Sequence, residues 1–222
     1  MQLPRFVRAG IVIAASLSAA VCLCAQAPTA GLVKAEGLPP RAAPADYQAH
    51  AAAGSLTVAA EFMGHAIATP DINIVSEEYV AVEVALYGPP DTRSKLSYAD
   101  FSIRINGKKT PTPSRPPGMI YSSLKDPSLE PTAEETKSKT SINSGGGGQA
   151  QPDSKPPPFK VPYEIRRGWE QHVQKASLSE GERALPKAGL IFFPYRGKTE
   201  KIESLELIYT GASGTATMNL QP

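Results

Sequence analysis

The chain has 222 residues, a formal net charge of +2, 22 Pro and 18 Gly. Pro and Gly together run well above the roughly 12% of average usage, so part of the chain packs no core. No collagen period, heptad array or multi-span apolar pattern is present in the sequence.

The N-terminus reads as an export signal. Arg5 and Arg8 form a basic start, and Gly10–Cys24 is an uncharged, mostly apolar run. That is the pattern of a cleaved signal peptide, too short for a typical spanning helix. Cleavage after Ala25 is favoured, which assigns residues 1–25 to the signal. Cys22 and Cys24 sit at the depth of a lipidation site, but Val21 and Leu23 stand where such a site wants a small residue. Lipidation stays open as an alternative. Both Cys of the chain lie in the signal, so the rest is expected to form no disulfide and no Cys-based metal site. Loss of Arg5 and Arg8 brings the 23 Lys and Arg level with the 21 Asp and Glu. A neutral mature chain argues against nucleic acid as a partner. No stable membrane span is expected after signal cleavage.

Residues 26–54 are rich in Ala and Pro and read as a flexible tether. Strand signals begin at Ser55, where Leu56, Val58, Ala60 and Phe62 (or Met63 after a slip) share a face. Asp71–Val75 is a short alternating run. Glu77–Tyr87 carries the strongest strand signal, with Val80, Val82, Val84 and Leu86 alternating with Tyr79, Ala81, Glu83, Ala85 and Tyr87. That period predicts a strand buried on one face. Tyr98–Ile105 follows, and Asn106-Gly107 predicts a type I′ turn.

Residues 111–159 read as a Pro/Gly/Ser-rich insertion, largely disordered, with roughly Pro127–Pro158 as the disordered part and the earlier GMIYSSLKDP able to lie against the domain. On this reading a chain lacking 127–158 still folds. Tyr163–Leu178 shifts to helical spacing, with Ile165, Trp169, Val173 and Ala176 on one stripe. The stretch SEGERALPKAG reads as a loop. Gly189–Tyr195, Ile202–Tyr209 (with a kink near Ser204) and Gly214–Leu220 close the chain as strands. Strands dominate and the helix lies in a crossover. The expected fold is therefore mainly β: an immunoglobulin-like antiparallel sandwich of residues 55–110 and 160–222, with one helix in a long crossover.

The strings YVAVEVALYG, DFSIRINGKK, GLIFFPYRGK, IESLELIYTG and GTATMNL follow one another in this order. In them the chain resembles uncharacterised exported bacterial proteins with an immunoglobulin-like sandwich. The resemblance covers roughly residues 55–110 and 160–222. It implies that fold and implies no catalytic residue.

The chemistry-bearing residue types form no catalytic pattern. Gly145–Gly148 lacks the Lys-Ser/Thr of a phosphate loop, and Gly197-Lys198-Thr199 lacks its upstream Gly. Gly211-Ala212-Ser213-Gly214 reads as a hairpin turn, not a nucleophile elbow. His50 lies in the tether and His172 on a helix flank. His65 has Asp71, Glu77 and Glu78 downstream, a metal set without supporting spacing. Glu61, Glu83 and Glu206 sit in strand patterns and are expected on solvent faces. Trp169 is expected in the core. The sequence thus nominates no catalytic, cofactor or metal residue. It points to an exported (periplasmic or extracellular) non-catalytic protein that engages an envelope or secreted protein. The alternative is a carbohydrate- or small-ligand-binding module using Tyr79, Tyr87, Tyr195 and Tyr209.

Overall fold

Period-two apolar spacing builds two sheets around one core. The computed structural model describes residues 34–68, 73–129 and 161–222; residues 1–33, 69–72 and 130–160 lie outside them. The first sheet runs β1 (Ala49–Ala53), β2 (Leu56–Gly64), β5 (Tyr79–Tyr87), β11 (Lys187–Pro194), every neighbour antiparallel. The second runs β13 (Gly214–Leu220), β12 (Leu205–Gly211), β7 (Phe101–Ile105), β8 (Thr112–Pro113), also antiparallel. Val80, Val82, Val84 and Leu86 of β5 share a core with Phe101 and Ile103 of β7, Leu205 and Leu207 of β12, and Met218 and Leu220 of β13. Two smaller sheets flank this pair. One is β3 (Ala66–Ala68), β4 (Asn73–Ser76) and β9 (Leu124–Lys125); the other pairs β6 (Arg93–Leu96) with β10 (Gly181–Ala184). The fold is mainly β and antiparallel. Among the described residues no helix is long and apolar enough to cross a membrane.

The strongest strand differs from its expectation. β5 is buried on both faces, because its outward Ala81 and Ala85 are covered as well. Over Ala81 lies α1 (Tyr163–Ala176), which sets Trp169, Val173 and Ala176 against Leu190 and Phe192 of β11. Over Ala85 lies Tyr47, packed with Ala59 and Ala188. Methyl side chains let these layers approach closely, yet Ala carries little hydrophobic signal in a sequence pattern.

The tether assignment is corrected from residue 34 onward. Glu36 and Gly37 donate backbone N–H bonds to the Lys175 carbonyl at 3.0 and 2.9 Å, and Leu38 donates to Ala188 at 2.9 Å. Tyr47 is buried, and Ala49–Ala53 forms β1 on the edge of the first sheet. Few large side chains are needed because the face that receives them is alanine. β1 also lies alongside β13, and the Gln48 side chain donates to the Gln221 carbonyl at 2.7 Å.

The insertion is corrected too. Residues 111–129 contain β8, β9 and two 3-10 turns, with Ile120 fully buried. Ser114 N–H donates to Phe101 O of the second sheet at 3.1 Å, and Arg115 N–H to Phe192 O of the first at 2.8 Å. Leu129 packs on the cluster under α1, so a cut at 127 would remove part of the fold. Residues 181–184, expected as loop, form β10.

At β2 the register shifts between Phe62 and Gly64. Phe62 then packs on the inter-sheet core and Met63 on the cluster under α1. After β7, Asn106 and Gly107 both take positive φ (51° and 65°), and Lys108 N–H closes the turn on Ile105 O at 3.2 Å. Asn106 also reaches the approach to β12. Its amide donates to Lys201 O at 2.9 Å and accepts from Glu203 N–H at 2.8 Å.

Candidate functional site

Charged and aromatic side chains converge in two places. The first is the outer face of the first sheet. Glu61 of β2 and Glu83 of β5 are directly paired across the strands. Like charges so placed repel. Arg41, carried in by the N-terminal segment, sits between them. Its guanidinium pairs with Glu61, lies 3.4 Å from the Glu83 carboxylate and 4.4 Å over the Tyr47 ring. Its Nη1 also donates to Asp46 O at 2.6 Å. Tyr87 hydroxyl donates to Arg41 O at 2.8 Å, and the Tyr47 and Tyr87 rings meet edge-on at 6.4 Å.

Glu83, expected on a solvent face, is only 9% exposed. Burial pushes its carboxyl above the usual range, Arg41 opposes that shift, and Glu61 adds to it. Two adjacent carboxylates are the raw material of acid–base chemistry. Here the guanidinium occupies the space between them, and the arrangement works as a clamp on the N-terminal segment.

Arg41→Ala is expected to cost about 2 kcal/mol at neutral pH. Breaking a fully buried pair costs about 3–5 kcal/mol, and Arg41 is partly solvated. The sign follows from Glu83. Its folded carboxyl keeps a proton to higher pH than the unfolded chain does, so stability falls as pH rises through that interval. Without Arg41 the interval widens upward. Below the ordinary carboxylate range, at about pH 3, both states are protonated and the electrostatic loss disappears. Urea unfolding at the two pH values checks this; an equal loss at both would exclude a charge clamp. Arg41→Ala combined with Glu83→Gln is expected to recover most of the loss.

The second place is an open cleft of about 600 Å³ lined by His65, Val75, Ser76, Glu77, Glu78, Arg196, Gly197 and Lys198. His65 lies in the turn between β2 and β3. Its Nδ1 is 2.6 Å from Ser76 O and 2.9 Å from Tyr79 O, and its Nε2 is 2.7 Å from Gly197 O. Tyr195 stacks on the ring at 6.0 Å. Below, the buried Ser76 and Ser123 hydroxyls bond at 2.7 Å. On the rim, Lys125 pairs with Glu77 and Arg196 with Glu78, both at 2.8 Å. Tyr195 N–H donates to Glu78 O at 2.8 Å, which joins the two walls.

The metal set drawn from the sequence does not assemble around His65. Both ring nitrogens point at backbone carbonyls, and Glu77 and Glu78 turn to cations. Asp71 lies outside the described residues. Among the described residues no three His, Cys, Asp or Glu group together as a metal site. The four Tyr named as a carbohydrate surface are scattered. Tyr209 is in the inter-sheet core, Tyr87 lies against the Arg41 segment, Tyr79 packs beside the α1 cluster, and Tyr195 stacks on His65. His50 is exposed on β1 rather than in a tether, and His172 is half-buried on α1. Glu206 pairs with Arg104 across β12 and β7. Gly197-Lys198-Thr199 leads into a 3-10 turn, and Gly211–Gly214 closes the β12–β13 hairpin. Cys22, Cys24 and Gly145–Gly148 lie outside the described residues. Arg41 escaped the sequence reading because it sat in the assumed tether; the two acids at outward strand positions were its only signal.

No protein-family model, no curated protein and no solved structure matches the chain.

Proposed function

We propose that this is an exported, non-catalytic interaction module of the immunoglobulin-like class, and that it binds an envelope or secreted protein through the His65 cleft. Strand order supports the class. β2-β5-β11 in one sheet and β13-β12-β7 in the other match the A-B-E and G-F-C order of that sandwich, with chain crossings from β5 to β7, back to β11, and across again to β12. The observation that carries the function is the cleft itself. It opens where β5 begins and β11 ends, and loops at the ends of sandwich strands are the usual recognition surface of this class. Its acidic and aromatic groups hold the protein's own chain, while its rim offers Arg196 and Lys198 to solvent. Such a surface suits recognition more than group transfer.

The test is a photo-crosslinking residue at Lys198 in cells, with the same residue at exposed Glu182 on β10 as the control. The expected result is one reproducible protein adduct from position 198, competed by added mature protein. Adducts equal at both positions, or saturable glycan binding without a protein adduct, would overturn the reading.

A further inference from the structure

We infer that His65 is a proton-operated clasp that holds the cleft in its closed shape. The three atoms around its ring are all carbonyl oxygens, which only accept hydrogen bonds. A neutral imidazole has one N–H. Its other nitrogen would press a lone pair onto a carbonyl oxygen at 2.6 or 2.7 Å. Only the doubly protonated ring donates on both sides. The acceptors come from distant parts of the chain: Ser76 and Tyr79 from the bend between β4 and β5, Gly197 from the loop after β11. One proton therefore adds a tie between the two walls beyond the Tyr195 N–H bond to Glu78 O and the Arg196–Glu78 pair.

The groups facing the ring define its electrostatic setting. Glu77 and Glu78 come from the β4–β5 bend, and their charges are offset by Lys125 of β9 and by Arg196. Lys198 adds a further positive charge from the loop, and Tyr195 stacks its ring from the end of β11. When the proton leaves, one side must let go. Nδ1 serves two acceptors and Nε2 serves one. The surviving N–H stays on Nδ1, so the contact to Gly197 is the one lost. Gly197 and Lys198 then move away from the bend, while the Tyr195 N–H bond to Glu78 O and the Arg196–Glu78 pair keep the start of the loop in place. The cleft is closed in acid and open in base.

The clasp regulates the same cleft proposed as the interaction surface, yet its proton can be read with no partner present. The experiment is ¹⁵N NMR of the imidazole rings in the mature protein from about pH 5 to about pH 8.5, the span in which imidazoles change charge. The amide ¹H–¹⁵N shifts of Gly197 and Lys198 are followed in parallel, with His50 and His172 as internal references. The expected result is a His65 ring protonated on both nitrogens in acid. At higher pH it becomes the Nδ1–H tautomer, and the Gly197 and Lys198 amide shifts move with the same midpoint. A neutral His65 ring in acid, an Nε2–H tautomer in base, or loop amides indifferent to its titration would each overturn the clasp. No variant is needed, so a misfolded mutant cannot obscure the outcome. If the ring titrates with loop release but position 198 gives no protein adduct, the clasp stands and the interaction reading falls. An adduct unchanged by pH, with the ring silent, gives the reverse.

Discussion

Trp169→Ala is expected to cost about 4 kcal/mol and to free α1 from the sheet. Trp169 is 3% exposed and sits among Ala81, Leu190 and Phe192. The helix has only Trp169, Val173 and Ala176 as buried anchors. Its first turn is not held: Tyr163 is 69% exposed, and Ile165, although on the apolar stripe, is 39% exposed. An isolated helix of 14 residues is marginal in water, so its order depends on that packing. The inter-sheet core lies on the other face of β5 and keeps its contacts. Far-UV circular dichroism is therefore expected to lose helix signal before strand signal on urea titration. Trp169→Phe should fall between the two. A loss below about 1 kcal/mol for the Ala variant would mean that α1 is not anchored by this side chain.

Gly189→Ala is expected to cost about 3 kcal/mol, from overpacking rather than from a cavity. A methyl group there would lie 2.5 Å from Leu178 Cα and 2.6 Å from Leu178 N. Both are backbone atoms, so no rotamer change relieves the clash. Leu178 N–H donates to Leu190 O at 3.0 Å, and Ser177 bridges to Leu190, so the strand and the chain leaving α1 are fastened where the methyl would push. Gly168 is the control. It sits in α1 with nothing within 4 Å of a methyl group. Gly168→Ala is expected to stabilise by up to about 1 kcal/mol, because Gly in a helix interior loses more entropy than Ala. Thermal melts of the pair should move in opposite directions. A Gly189→Ala protein as stable as the parent would mean the close approach is not constraining.

The parts of this fold that were legible in the sequence are those with a repeating apolar period. β5, β13 and α1 carry one, β11 shows instead as a short apolar run, and the Asn106-Gly107 turn carries a backbone requirement that few residue pairs meet. β1, β6, β8, β9 and β10 span two to five residues with few large side chains. They exist because a partner strand arrives, which no local pattern records. The second buried face of β5 was hidden by Ala81 and Ala85, whose role depends on what covers them. The Glu61–Glu83 pairing needed the register of β2 against β5, and Arg41 needed the path of a segment that looked unstructured. His65 was singled out for side chains near it in sequence. Its partners are three carbonyl oxygens, a group every residue carries, so nothing in the residue types could reveal them.

The neighbouring positions of β1 and β13 put a clock on the fold. Protein chains are made from the N-terminal end, and domains gather as their pieces appear. Ala49 and Ala51 pack on the inter-sheet core that Ala216, Met218 and Leu220 help to fill. The seam between the earliest and latest of these strands is thus sealed by the last of them to be synthesised. Until Gly214–Leu220 is out, β12 lacks one neighbour and the apolar side of β1 faces water. A nascent chain that has not yet reached β13 carries an open flank however long it waits, and the core closes only once that strand has emerged.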